Sequence, residues 1–478
     1  MKRVAIGILM ALAVIGQMQS VQAQTLHFGR LGNVTVFRQA PHPAHVVLVL
    51  SDRQGWTAQD NALGQALAAP DTLALGIDIR GYLKYLAGTK CGYPAGDLEA
   101  LSQYSQKKLG LAHYIRPVIA GRGVGATIAY GALAQAPIGT FQGALGLDFC
   151  PDTLLSRPLC PGDGLRSQAD SKEPGYRVLA GSLTAPWRVL DSLNGSRCDT
   201  ASAAVFVSQV PGARFSVAHS DNLTSSDATL ALVRQAFLDA AQPAPSATAT
   251  AKPVSDLPLV EVPATVPSND TLVVMVSGDG GWAGLDRELA KALAARGYSI
   301  VGLNSLQYFW NRRTPDGAGA DLARILNHYL QAWNKHQVLL IGYSRGADVL
   351  PFMANRLPTE LRQQVQLIAL LGLGRTVDFE FHLTDWLPDT SGHHNDLPIY
   401  PQVQKLRGLH VLCIYGDDEL HSLCRQLNPK TFQVLGLKGG HHFDGDYAGL
   451  ATTILGVLPS APDSAGKSVA PAPAATQE

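Results

Sequence analysis

The chain has 478 residues, of which 46% are hydrophobic and 16% charged, and its 38 basic side chains balance 38 acidic ones. That composition belongs to globular domains and not to disorder, and the length exceeds what one ordinary core organises. The charge balance excludes the broad basic field by which a protein holds nucleic acid, so no nucleic-acid partner is expected.

In chain order, the first segment reads as an export signal. Lys2 and Arg3 precede an apolar run over residues 4–15, too short to span a bilayer, and Val21-Gln22-Ala23 offers a small-x-small cleavage site. Residues 1–23 are expected to be removed, leaving an exported protein. An oxidising compartment gives the six cysteines a meaning: Cys91, Cys150, Cys160 and Cys198 lie in the first half, Cys413 and Cys424 in the second. Cys413–Cys424 is the simplest pair; the first four allow three pairings, which remain open.

Residues 24–240 and 269–458 carry the same plan twice, separated by a Pro/Ala/Ser/Thr-rich stretch at 241–268 that reads as a linker, and followed at 459–478 by a tail of like composition. "HVVLVLSDRQGW" at 45–56 matches "TLVVMVSGDGGW" at 271–282, and "PVIAGRGVGATIAY" at 117–130 matches "VLLIGYSRGADVLP" at 338–351. "LDSLNGSRC" at 190–198 parallels "YGDDELHSLC" at 415–424, and His219 follows Cys198 much as His441 and His442 follow Cys424. Each copy alternates short β-branched strands with amphipathic helices, such as the one carrying Leu285, Leu289 and Leu293 and ending at Gly297. The expected fold is α/β, as tandem domains, each a mostly parallel sheet flanked by helices.

The copies differ where chemistry is concerned. The second contains Gly342-Tyr343-Ser344-Arg345-Gly346 after an apolar strand and before a helix-compatible segment; the first has Gly123 where Ser344 stands. Strand, Gly-x-Ser-x-Gly and helix make a nucleophile elbow, a tight turn in which the glycines avoid collision and the serine hydroxyl stands exposed. A serine needs a histidine base oriented by a carboxylate, and in this architecture they follow in the order serine, acid, histidine. The acidic turn Asp417-Asp418-Glu419 and the loop bearing His441 and His442 arrive in that order. Asp418 is taken as the acid, with Asp417 second, and His441 as the base, with His442 second. The N–H of Arg345 would begin the helix and face a developing oxyanion; a second donor is expected from the N–H of Asp279, or of Gly280, in "SGDGGW". Arg345 and Asp348 read equally as specificity residues or as an ion pair within the helix. No metal or other cofactor is expected: "GDGGWA" meets only a loose dinucleotide pattern, and "HHFDGD" has no second ligand set. The first copy, without its nucleophile, is expected to be a degenerate domain that folds and binds without turning substrate over.

"SGDGGWAGLD", "GYSRGADVLPF", the "YGDDE" turn with its following cysteine, and "GGHHFDGDY" resemble the AcvB/VirJ family of exported bacterial virulence proteins. The resemblance is carried by several motifs in the second half and extends more weakly over the first. It implies an α/β-hydrolase fold, a periplasmic location, and hydrolysis of aminoacyl-phosphatidylglycerol, chiefly the lysyl form, with Ser344, Asp418 or Asp417, and His441 or His442 as the catalytic set. Its implied partner is an aminoacyl-phospholipid at the membrane surface; periplasmic proteins met through the first domain are a further expectation. The segment 375–402 would be an inserted lid, offering Phe379, Phe381, Trp386 and Leu387 to acyl chains and Asp378, Glu380, Asp385 and Asp389 to a lysyl ammonium, or packing its own aromatics.

Overall fold

The computed structural model describes residues 24–38, 40–162, 164–170, 175–195, 197–242, 254–382 and 396–458. The expected signal segment and tail lie outside the described residues. Two compact units form, one from each half of the chain.

The first unit holds strands β1 (Gln24–Phe28), β2 (Gly32–Arg38), β3 (His45–Leu50), β4 (Thr72–Ile77), β5 (Val118–Arg122), β6 (Gly143–Leu147), β7 (Arg166–Ala169), β8 (Tyr176–Leu179), β9 (Trp187–Asp191) and β10 (Arg214–Val217). Its helices are α1 (Ala58–Ala68), α2 (Arg80–Ala87), α3 (Pro94–Lys108), α4 (Val124–Gln135), α5 (Thr200–Ser208) and α6 (Asp227–Ala241). Eight strands run in the order β1-β2-β4-β3-β5-β6-β9-β10. β2 is antiparallel to both its neighbours; β4 through β10 are parallel.

The second unit repeats this with β11 (Leu259–Val262), β12 (Thr271–Val276), β13 (Ser299–Leu303), β14 (Gln337–Tyr343), β15 (Val365–Leu371), a short β16–β17 pair (Thr376–Val377, Leu397–Pro398), β18 (Val411–Gly416) and β19 (Gln433–Leu437). Around them stand α7 (Gly284–Ala294), α8 (Ser305–Tyr308), α9 (Pro315–Ala332), α10 (Arg345–Ala354), α11 (Thr359–Gln364), α12 (Tyr400–Gln404) and α13 (Tyr447–Gly456). The order β11-β13-β12-β14-β15-β18-β19, with only β11 antiparallel, is that of the first sheet without its outermost strand among the described residues. Both sheets have the α/β-hydrolase strand order.

Burial on both faces explains the continuous apolar strands. Along β12, Leu272, Val274 and Val276 pack under α9 and α10, whereas Val273 and Met275 pack under α7 and α13. The expected stripe of Leu285, Leu289 and Leu293 is buried in α7, and Gly297 takes a left-handed φ of 87° just past its end.

Two expectations are corrected. The stretch 241–268 is not linker throughout: Val254 and Leu257 are buried in the core, and β11 pairs with β13 as an edge strand. Proline-rich composition masked this, because an edge strand tolerates flanking prolines that a central one does not. The segment after β15 does not offer Phe379 and Phe381 outward: they are 2% and 1% exposed, Phe379 packing against Phe309 and Phe352, and Phe381 stacking on Trp310. Trp386, Leu387, Asp385 and Asp389 lie outside the described residues.

All six cysteines are bridged, as Cys91–Cys160, Cys150–Cys198 and Cys413–Cys424. The last joins β18 to the turn beyond it, bracing the acidic loop from below.

Candidate active site

Ser344 caps β14 with φ 52° and ψ −121°, a left-handed conformation that a side chain rarely adopts. The turn is held because its N–H donates to the Leu371 carbonyl (2.8 Å) and its own carbonyl accepts from Asp348 N–H (3.0 Å). Side chains at Gly342 or Gly346 would collide with the Gly346 and Val276 carbonyls, so the two glycines are a packing requirement of the elbow. Pro351 lies within α10 without ending it.

His441 comes from the loop after β19. Its ring lies against Gly372, whose absent Cβ would be 2.7 Å from Cε1, and Gly372 directly follows the Leu371 carbonyl that anchors Ser344. The elbow and the imidazole thus flank the same two residues at the end of β15.

The carboxylate that meets His441 is Glu419, with Oε1 at 2.5 Å from Nδ1. This corrects the choice of Asp418, and of Asp417. Both are exposed, and their backbone N–H groups bond the carbonyls of Gly439 and Leu437. The reason is turn geometry. Glu419 N–H closes a turn onto the Gly416 carbonyl, and its side chain folds back so that Oε2 accepts Gly416 N–H (2.7 Å) while Oε1 faces the imidazole. His442 is exposed and shares its Nδ1 with the Tyr343 hydroxyl at 3.0 Å, which leaves His441 as the base candidate.

The electrostatics suit that pairing. The hydrogen bond that His441 donates to Glu419 raises the His441 pKa above its ordinary value against the opposing effect of burial, and the charges of Glu419, Asp279 and Asp348 add to the rise. Burial pushes the Glu419 carboxyl up, but the bonds from His441 and Gly416 N–H outweigh it and the net shift is downward.

The first domain repeats the elbow without the serine. Gly123 has φ 56° and ψ −118°, and its N–H bonds the Leu147 carbonyl at 2.9 Å, as Ser344 does with Leu371. Val124 N–H, at the position of Arg345, donates to the Asp52 carboxylate (2.9 Å). That N–H therefore reaches an oxygen held above the elbow, which is what an oxyanion hole requires of Arg345. In the second domain Gly278 stands at the position of Asp52 and leaves that place open; the turn engages the N–H groups of Gly278 and Gly281, with Asp279 and Gly280 between them.

Several contacts escaped sequence reasoning. The Arg345 guanidinium donates to the carbonyls of Asp378 (2.9 Å) and Glu380, while its charge also acts on Asp348. Asp348 accepts Gly374 N–H at 2.7 Å, and burial raises its pKa to about 7. Asp286, only 2% exposed, accepts Gly278 N–H at the turn after β12, and burial holds its carboxyl well above the usual range. Its counterpart Asp60 pairs with Arg122, whose place is taken here by Tyr343. Asp378 and Glu380, offered to a substrate ammonium, are engaged by Arg312.

A strained serine, an imidazole and a carboxylate thus stand at the strand ends of an α/β-hydrolase sheet, the groups from which a serine nucleophile with its base and acid is built. Residues 270–461, which span the second domain, match the family model described as bacterial virulence protein (VirJ). No match is found among curated proteins. Solved structures similar to part of the chain include a thioesterase domain from the curacin biosynthetic pathway (17% identity, 41% of this chain and 94% of that one, TM-score 0.29). Others are an alpha-beta serine hydrolase homologue from Coxiella burnetii (16%, 42% and 91%, 0.31) and LpqC, a poly(3-hydroxybutyrate) depolymerase from Bordetella parapertussis (17%, 43% and 87%, 0.30). No described helix is long and apolar enough to cross a membrane.

Proposed function

We propose that the second domain is a periplasmic serine hydrolase that cleaves the ester of aminoacyl-phosphatidylglycerol, releasing phosphatidylglycerol and the free amino acid. The observation that carries the hydrolase reading is the Glu419–His441 bond beside the strained Ser344. His441 Nε2 takes the hydroxyl proton as Ser344 Oγ attacks the ester carbonyl. The N–H groups of Arg345 and Asp279 receive the oxyanion. Collapse breaks the bond to the lipid glycerol oxygen, which leaves with the proton from His441; water, deprotonated by the same imidazole, then frees the amino acid from Ser344.

The aminoacyl part is favoured by the carboxylate of Asp279, and by that of Asp348 once it ionises near pH 7, whose negative charge reaches His441 and would equally attract an acyl group bearing an ammonium. The family resemblance supports the lipid and the periplasm.

The test incubates the mature chain and its Ser344→Ala variant with lysyl- and alanyl-phosphatidylglycerol in micelles and follows free amino acid. Release by the wild type, reduced at least ~10³-fold in the variant, is expected. Labelling of Ser344 by a fluorophosphonate without amino-acid release would keep a serine esterase or peptidase and discard this substrate. Absence of both would favour a non-enzymatic adaptor of a secretion system.

A further inference from the structure

The cleft of the first domain occupies the place of an active site but has been rebuilt. Asp52 fills the position above the elbow through its bond from Val124 N–H, and a side chain at Gly123 would collide with that carboxylate. Asp148, with φ 52°, stands where Gly372 makes room for the imidazole; it accepts from Ser192 N–H and hydroxyl at 2.7 and 2.8 Å. No acyl oxyanion or base fits there.

What remains beside Val124 is a cavity of about 470 Å³, within the range of roughly 300–1,000 Å³ typical of small-ligand sites. Its cations are Arg53, at the position held by Asp279 in the second domain, and Arg80 and Lys84 of α2. Its apolar wall is Leu83, Leu154 and Leu155. Arg80 is taken by Asp78 at 2.6 Å, whereas Arg53 and Lys84 have no ion pair among the described residues. Leu154 is held at φ 57°, a costly conformation for a leucine and of the kind that gathers at ligand sites.

Two free cations against an apolar wall fit neither a neutral ester nor a fully polar ion. We infer that this cleft binds the headgroup of an anionic phospholipid, its phosphate on Arg53 and Lys84 and the start of its acyl chain on Leu83, Leu154 and Leu155. The first domain then docks the protein on anionic lipid without turning it over. The inference goes beyond the hydrolytic reading and does not need it.

The test uses the mature chain carrying Ser344→Ala, so that turnover cannot alter the lipid, and measures co-sedimentation with vesicles of phosphatidylcholine with or without phosphatidylglycerol. Preference for the phosphatidylglycerol vesicles is expected, falling about tenfold or more in Arg53→Glu/Lys84→Glu. The control reverses two exposed lysines elsewhere on the domain, Lys90→Glu/Lys108→Glu, and should keep binding. Equal loss in both pairs would reduce the effect to general surface charge and overturn the site, as would equal binding to both vesicles. Competition by short-chain phosphatidylglycerol monomers supports a lipid ligand; equal competition by glycerol phosphate would make the ligand a soluble phosphate ester and overturn the lipid. Because Ser344 is absent throughout, failure here leaves the hydrolase reading untouched.

Discussion

Glu419 Oε1 lies 2.5 Å from His441 Nδ1, inside a turn whose two preceding residues are both aspartates turned to solvent. Among these three carboxylates only Glu419 meets the imidazole, and a bond at Nδ1 favours the tautomer that leaves Nε2 open, the atom that the proposed reaction uses. Glu419→Gln keeps the size and removes the charge, and by analogy with the aspartate of serine proteases it should lower kcat by about 10³–10⁴-fold. Asp418→Asn should stay within about threefold of wild type, since its side chain is exposed. Steady-state kinetics on the pair decide it: a large loss in Asp418→Asn with an active Glu419→Gln would reverse the assignment.

The same bond sets a pH dependence. His441 must be neutral to accept the serine proton, and Glu419 raises its pKa above the ordinary value. The acid limb of kcat/KM should therefore fall at a pH above that of an unperturbed imidazole, about 6.5. In Glu419→Gln the stabilising charge is gone, so the residual activity should show its acid limb at lower pH. An unmoved limb would mean that another group governs it.

Much of this was legible in the sequence. Two apolar strands leading into Gly-x-Ser-x-Gly and Gly-x-Gly-x-Gly, 67 residues after Ser277 and 72 after Ser51 of a shared Ser-x-x-x-Gly-Trp, are enough to place two elbows, and the structure gives Ser344 and Gly123 nearly identical dihedrals. The acid was not legible. Three consecutive carboxylates differ only in where a turn points them, and the bond from Glu419 N–H to the Gly416 carbonyl that decides it is tertiary detail. The hydrogen bonds of Arg345 are illegible for a related reason: spacing within a helix points only to Asp348, while the guanidinium donates to the carbonyls of Asp378 and Glu380, more than thirty positions away. Asp286 had a signal that went unread, since an aspartate follows the Gly-Trp by four residues in both copies.

Restoring the first domain's nucleophile should fail. The Gly123 backbone already has the elbow conformation, so Gly123→Ser meets no new demand from φ beyond the one Ser344 bears. Its Cβ would press on Asp52, and Asp148 stands where Gly372 makes room for the imidazole in the second domain. Gly123→Ser should lose about 1–3 kcal/mol of stability. Placed on the Ser344→Ala background, it should gain no fluorophosphonate labelling. Labelling by that variant would show that the first site retains an activating base.

Asp348 gives a stability test with a definite sign. Burial moves its carboxyl from an ordinary 3.8 to about 7 in the fold, so the folded chain keeps a proton that the unfolded chain has lost. Stability from this group therefore declines as pH rises from about 4 to about 7. Asp348→Asn keeps an oxygen to accept Gly374 N–H, 2.7 Å away, and cannot ionise. The full shift would correspond to a ceiling of ~4 kcal/mol, and partial exposure at the rim brings the expected gain to about 1–2 kcal/mol at pH 8. Little gain is expected at pH 4, where the native carboxyl is itself protonated. Urea unfolding of both proteins at the two pH values measures the difference, and a gain equal at both would trace the effect to packing instead of charge. If Asp348 also attracts a substrate ammonium, the stabilised variant should show a raised KM for lysyl-phosphatidylglycerol, so that stability and substrate binding move in opposite directions at one residue.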